Sequence, residues 1–137
     1  TGSRSSGRWW RSVIVYLAGP IEQCSEDEVH LWRNYVSDHI PIDIAVLEPR
    51  YDLGSTGEIF QNTKQNVERC DMVFAYLPKG VNDRRPSYGT IFEISYGHAL
   101  NKEIAIISDD KFVHNHPVMK GVGSHFNCLD DAIRYLF

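Results

Sequence analysis

The chain has 137 residues, is 42% hydrophobic and 23% charged, and carries a formal net charge of -4. That size and mixture suit one domain with a real core and exclude disordered, fibrous and low-complexity classes. The acidic balance argues against an extended nucleic acid as partner, and no apolar run reaches the roughly 18 residues that a membrane helix needs.

Residues 1–12, rich in Gly, Ser and Arg, read as a tail or expression remnant, and residues 13–137 as a single domain. An alternative reading of the tail has Trp9 and Trp10 stacking on a ligand or a neighbouring chain. "SVIVYLAGP" (12–20) is a β-branched apolar run ended by Gly-Pro, the pattern of a central parallel strand buried on both faces. "SEDEVHLWRNYVSDHI" (25–40) opens on a capping box, Ser25 with Glu28, and places Val29, Trp32, Tyr35 and Val36 on one helical face. "IDIAVLEP" (42–49) predicts a second strand closed by Pro49. The next helix spans 58–70, with Ile59, Phe60, Thr63 and Val67 along one stripe.

"DMVFAYLP" (71–78) predicts a third buried strand, and a polar loop leads into a helix over 90–101. "KEIAIISDD" is a fourth strand, "HFNCL" a short fifth, and "DDAIRYLF" a closing helix. This alternation predicts a doubly wound α/β fold: a mainly parallel five-stranded, flavodoxin- or Rossmann-like sheet with helices on both faces. Ligands then bind beyond the C-terminal ends of the strands. Cys24, Cys70 and Cys128 form no CxxC pair and read as buried thiols of a reducing compartment, so the expected location is cytoplasmic.

Tyr16, Gly19 and Pro20 follow the first strand, while Ser87, Gly89 and Glu93 follow the third. These segments meet at one crevice in such a fold. Gly19 permits close approach of backbone to a ligand, and Gly89-Thr90 at a helix start offers free N–H groups to an anion. Either glycine also reads as plain turn chemistry. Glu93 lies near a helix start, where a carboxylate is favoured by the dipole alone, but its apolar and small neighbours Ile91, Phe92, Ile94, Ser95 and Gly97 indicate a closely packed helix.

"VYLAGPI", "CDMVFAYLP" and "PSYGTIFEISYGHALNKEIAII", in this order, resemble the nucleoside 2-deoxyribosyltransferase superfamily over most of residues 13–108. The resemblance implies that Glu93 is a nucleophile that attacks the anomeric carbon of a nucleoside, expels the base and forms a glycosyl-enzyme, in the manner of a retaining glycosidase. It gives Tyr16 the task of holding that carboxylate. Three departures refine it. Ser87 stands where transferases carry an acidic residue, as in the branch that cleaves nucleoside 5′-monophosphates; a hydroxyl tolerates a phosphate dianion that a carboxylate would repel. Arg84 and Arg85 are neighbouring candidates for that phosphate. Thr63 stands where the family has an Asp, leaving Asn62 or water to assist the leaving base. Asp71 is expected to be structural.

The resemblance further implies sites completed by a neighbouring subunit, with His116, Ser124 and His125 as candidates across a homodimer or higher homo-oligomer. The "HNH" run lacks an acidic partner, and neither metal nor cofactor is expected. Ile21, Glu22 and Gln23 lie where base edges would be read. The leading expectation is therefore hydrolysis of the N-glycosidic bond of a deoxynucleoside 5′-monophosphate. Alternatives are a deoxyribosyltransferase, a catalytically silent nucleotide-binding module, and the phosphoribohydrolase family with a Pro-Gly-Gly-x-Gly-Thr-x-x-Glu motif, which "RPSYGTIFE" matches only in part.

Overall fold

The computed structural model describes residues 13–80 and 87–137. Five strands, β1 (Ile14–Ala18), β2 (Ala45–Leu47), β3 (Met72–Tyr76), β4 (Glu103–Ile107) and β5 (Ser124–Phe126), form one parallel sheet in the order β2-β1-β3-β4-β5. Among the described residues five α-helices accompany them: α1 (Glu26–His39), α2 (Thr56–Arg69), α3 (Tyr88–Ala99), α4 (Lys111–Asn115) and α5 (Leu129–Leu136). The chain steps outward from β1 to β2 in one direction and from β3 to β4 in the other. The reversal lies between β1 and β3, which in open α/β sheets is where ligands sit.

Alternate residues of each central strand build two cores. Val15, Leu17, Met72, Phe74, Ala105 and Ile107 face Trp32 and Val36 of α1 and Ala132 and Leu136 of α5. Tyr16, Ala18, Val73, Ala75, Ile104 and Ile106 face Val67 of α2 and Ile94 of α3. This period-two division makes the strands apolar on both sides. Gly97 lets α3 lie close on the sheet, since a Cβ there would stand 2.8 Å from Val73 and 3.1 Å from Ile104.

Helix starts follow their sequence signals. The Ser25 hydroxyl accepts from Glu28 N at 3.1 Å while the Glu28 carboxylate accepts from Ser25 N at 2.8 Å, which completes the capping box. Asp71 does more than end a helix: its carboxylate accepts from Ile14 N at 2.8 Å and so ties the start of β1 to that of β3.

Several expectations need correction. The second strand is confined to Ala45–Leu47; before it Ile44 is buried in the core outside the strand, and Ile42 is fully exposed. The α2 stripe is buried at Val67, whereas Ile59 and Phe60 remain about half exposed; Phe60 instead meets the exposed Phe92 ring at 5.6 Å. Only Cys70 of the three thiols is buried. The short α4 and a 3-10 turn at Met119–Gly121 carry too few residues to show a helical period, and so went unpredicted. Trp9, Trp10, Arg84 and Arg85 lie outside the described residues.

Candidate active site

Strand β1 runs through the middle of the sheet, and its alternation turns Tyr16 toward α2 and α3. Helix α3, which follows β3 in chain order, presents Thr90, Glu93, Ile94 and Gly97 as buried residues. The two elements bring Tyr16 and Glu93 together: the phenol donates a hydrogen bond to Glu93 Oε2. Neither side chain has appreciable contact with solvent, Tyr16 being fully buried and Glu93 6% exposed.

Burial pushes the Glu93 carboxyl up to about 7, against two opposing influences, the Tyr16 hydrogen bond and then the positive charge of Arg33. Burial, reinforced by the Glu93 charge, also drives the Tyr16 phenol far above its ordinary range, so it remains a donor at all working pH. The pair is thus a carboxylate whose pKa lies near neutrality, with one oxygen held by a permanent donor and the other not engaged by Tyr16. Such a group can act as a nucleophile or as a general base.

A polar chain extends from this pair into α2. Asn66, buried next to Val67, acts on the Tyr16 phenol as a hydrogen-bonding partner that offsets part of its shift. Its Nδ2 donates to Asn62 Oδ1 at 3.2 Å, and the same oxygen accepts from Arg50 N at 3.0 Å. Thr63 is half-buried on the same helix between these two asparagines.

At the head of α3, Ser87 is the N-cap. Its Oγ lies 2.7 Å from Thr90 Oγ1 and 3.4 Å from Thr90 N. Gly89 follows in the first turn, exposed, with open space where a side chain would be. Gly19 is different. A Cβ there would meet the Trp32 indole at 2.6 Å and Tyr76 O at 3.2 Å, so its smallness admits the indole under the strand end. Ile21 is 40% exposed on the turn after it, in which Gln23 takes a left-handed φ of 61°. An extended side-chain residue in that conformation is costly and holds the loop in a specific shape.

The remaining three candidates are at the far edge of the sheet, where Ser124 opens β5 and is exposed. His125 is on β5, two strand spacings or about 10 Å beyond β3, with Nδ1 2.7 Å from His114 Nδ1 and Nε2 2.8 Å from Met119 O. His116 is exposed after α4, its Nδ1 accepting from Val118 N at 3.1 Å. Within one chain neither joins the Tyr16–Glu93 pair. A cleft of 470 Å³ near β5, lined by Tyr35, Tyr76, Asp109 and Cys128 among others, does not include Glu93.

Two buried polar residues at the site escaped the sequence reading, Asn66 and Arg33. Each stands on a helical stripe of apolar residues, Asn66 beside Val67 and Arg33 one turn after Val29; a polar residue on such a stripe was the available signal.

The sequence model of the nucleoside 2-deoxyribosyltransferase family matches residues 15–129. The chain belongs to this family. No curated protein matches it closely enough to count as a relative. Among solved structures, it is similar to a 2-deoxyribosyltransferase from Leishmania mexicana, with a TM-score of 0.61 and 24% identity over 72% of this chain and 65% of that one. The chain thus spans slightly under two thirds of that relative. It is also similar to a 2-deoxyribosyltransferase from Bacillus psychrosaccharolyticus, with a TM-score of 0.66 and 20% identity over 90% of this chain and 93% of that one. A third is a CMP N-glycosidase from Clostridium botulinum, with a TM-score of 0.60 and 18% identity over 90% of this chain and 94% of that one. At these identities the likeness is one of fold, and all three share the doubly wound parallel sheet of this family member.

Proposed function

We propose that this protein hydrolyses the N-glycosidic bond of a deoxynucleoside 5′-monophosphate, with Glu93 as nucleophile. The observation that carries the reading is the buried Glu93 carboxylate, held by Tyr16 at one oxygen and poised near neutrality at the sheet's switch point. In the first step the free carboxylate oxygen bonds to C1′ as the C1′–N bond breaks. The bond's electron pair leaves on the base, which takes a proton from solvent. Water then adds to C1′ and loses a proton, and the ester electrons return to Glu93. Nucleotide and water thus become free base and sugar phosphate.

Tyr16 keeps the attacking carboxylate fixed and partly offsets the cost of its burial. Ser87 and the first turn of α3 support the choice of a monophosphate, because a hydroxyl and an exposed helix start at Gly89 accept an anion without repulsion. Thr63 and the Asn62–Asn66 pair stand nearest in sequence to where leaving-base assistance is expected. His116 and His125 would serve a site only from a neighbouring copy, and the exposed aromatic patch of Tyr88, Phe60 and Phe92 offers apolar surface for one.

A second reading, transfer of deoxyribose between bases, is favoured by the family's own description. It uses the same glycosyl-enzyme and differs in whether a free base outcompetes water. The test is chromatography of base release from a panel of deoxy- and ribonucleoside 5′-monophosphates and their nucleosides, with and without a labelled free base. Hydrolysis of a monophosphate, lost by at least about a thousandfold in Glu93→Ala, is the expected result. Label incorporation into nucleoside identifies the transferase. A melting-temperature rise with nucleotide but no turnover identifies a binding module and overturns the catalytic assignment.

A further inference from the structure

Arg33 is fully buried, an uncommon place for a guanidinium. It sits on α1, yet its donors reach across to the end of β1: Nε–H to Leu17 O at 3.2 Å and Nη2 to Gly19 O at 3.2 Å, with Nη1 to Val29 O of its own helix at 2.6 Å. The guanidinium lies 4.6 Å from the Trp32 ring centre and 6.0 Å from that of Tyr51. Among the described residues no carboxylate forms an ion pair with it. Its charge is instead felt at longer range by Tyr51, Tyr16, Glu93 and Glu48.

A buried cation without a contacting counter-ion is expensive, and an apolar side chain would fill this space at lower cost. The three carbonyl contacts say what it fixes. Leu17 and Gly19 flank the strand end immediately after Tyr16, so the planar fork of Arg33 sets the orientation of the segment that presents the phenol and the turn at Ile21–Gln23.

We propose that Arg33 is a positioning residue of this site: it locks the end of β1 through Leu17 and Gly19 and supplies the fixed positive charge set against the Glu93–Tyr16 pair. This rests on the reading of Glu93 as nucleophile. An attacking carboxylate must be anionic although buried, and the charge of Arg33 opposes the desolvation that favours its neutral form. The same charge favours the return of the carboxylate when water releases the sugar. The charged and titratable groups coupled to Glu93 are Tyr16 by a hydrogen bond and, at longer range, Arg33 from α1 and the Cys70 thiol at the end of α2, with Asn66 acting on Tyr16; of these only Arg33 is cationic.

The test compares Arg33→Gln, which keeps an amide donor but removes the charge, with Arg33→Lys, which keeps the charge but not the fork. The first readout is a carbon NMR titration of the Glu93 carboxyl, assigned with Glu93→Gln. The second is the pH profile of base release. In Arg33→Gln the Glu93 midpoint should rise by about one unit, which lowers the ionised fraction at neutral pH several-fold, and the acid limb of kcat should move with it. Arg33→Lys should keep the midpoint and raise KM.

An unmoved midpoint in a folded Arg33→Gln protein overturns the inference. If Arg33→Gln does not fold, an Arg33→Lys protein with unchanged KM and unchanged kcat overturns it as well. The titration needs no turnover. A midpoint that rises while the unmodified protein releases no base therefore supports the Arg33 coupling and removes only the proposed reaction.

Discussion

The two faces of the central sheet are built from the same strands, one residue out of step, and they do opposite things. On the α1–α5 face Val15, Leu17, Met72 and Phe74 meet apolar partners and make an apolar core, with the buried Arg33 at its margin by the end of β1. On the α2–α3 face the intervening Tyr16 shares its core with the buried polar residues Asn66, Thr90 and Glu93. Hydrophobic burial on the first face offsets the desolvation that the second imposes. A shift of register by one residue would exchange them, so the capping box, the Asp71 anchor and the Gly97 contact, by holding register and docking, also protect the site.

The division can be broken from the dry side. Phe74→Ala should cost about 3–5 kcal/mol of stability by calorimetry, through lost transfer energy and a residual cavity, while base release below the melting point stays near normal. A matching loss of activity in a folded Phe74→Ala protein would mean that the two faces are not separable.

The polar face should show the reverse. The Glu93 pKa in the folded protein is raised, from 4.5 to about 7, so the folded state holds that proton more tightly than the unfolded chain. The contribution is intact below about 4.5 and is lost as pH rises through about 7. Glu93→Gln removes this loss. The variant should therefore be more stable than the unmodified protein at pH about 8, by up to about 3 kcal/mol, and the gap should close on acidification. Denaturant titrations at two pH values check this, and an equal gap at both would refute it.

Tyr16→Phe removes a hydrogen bond to a charged group, an effect of about 1.5–3 kcal/mol. Base release at neutral pH should fall about ten- to hundredfold. The acid limb of its pH profile should also shift upward, because the bond that lowers the Glu93 pKa is gone. Ser25→Ala is the smallest perturbation. It should cost about 1 kcal/mol by loss of the α1 cap, with no effect on base release at temperatures where the protein is folded.

Much of this was legible in the residues. Apolar runs ended by Pro or Gly announced β1 and β3, the alternation with amphipathic helices announced a doubly wound sheet, and Ser25 with Glu28 announced the start of α1. The doubly wound pattern put the segments that carry Tyr16 and Glu93 at one crevice, and the resemblance to the deoxyribosyltransferase superfamily implied that Tyr16 holds the Glu93 carboxylate, to which it is hydrogen-bonded.

What the sequence could not decide was which side chains those elements would trap. Arg33 and Asn66 look like ordinary polar helix residues, and only the docking of α1 and α2 against β1 removes their water and aims them at Leu17, Gly19 and Tyr16. Ile59 and Phe60 look like core, yet in the packed α2 both remain about half exposed. Burial belongs to packed elements rather than to residues. The poised charge of Glu93, which depends on that burial, was therefore settled by tertiary structure alone.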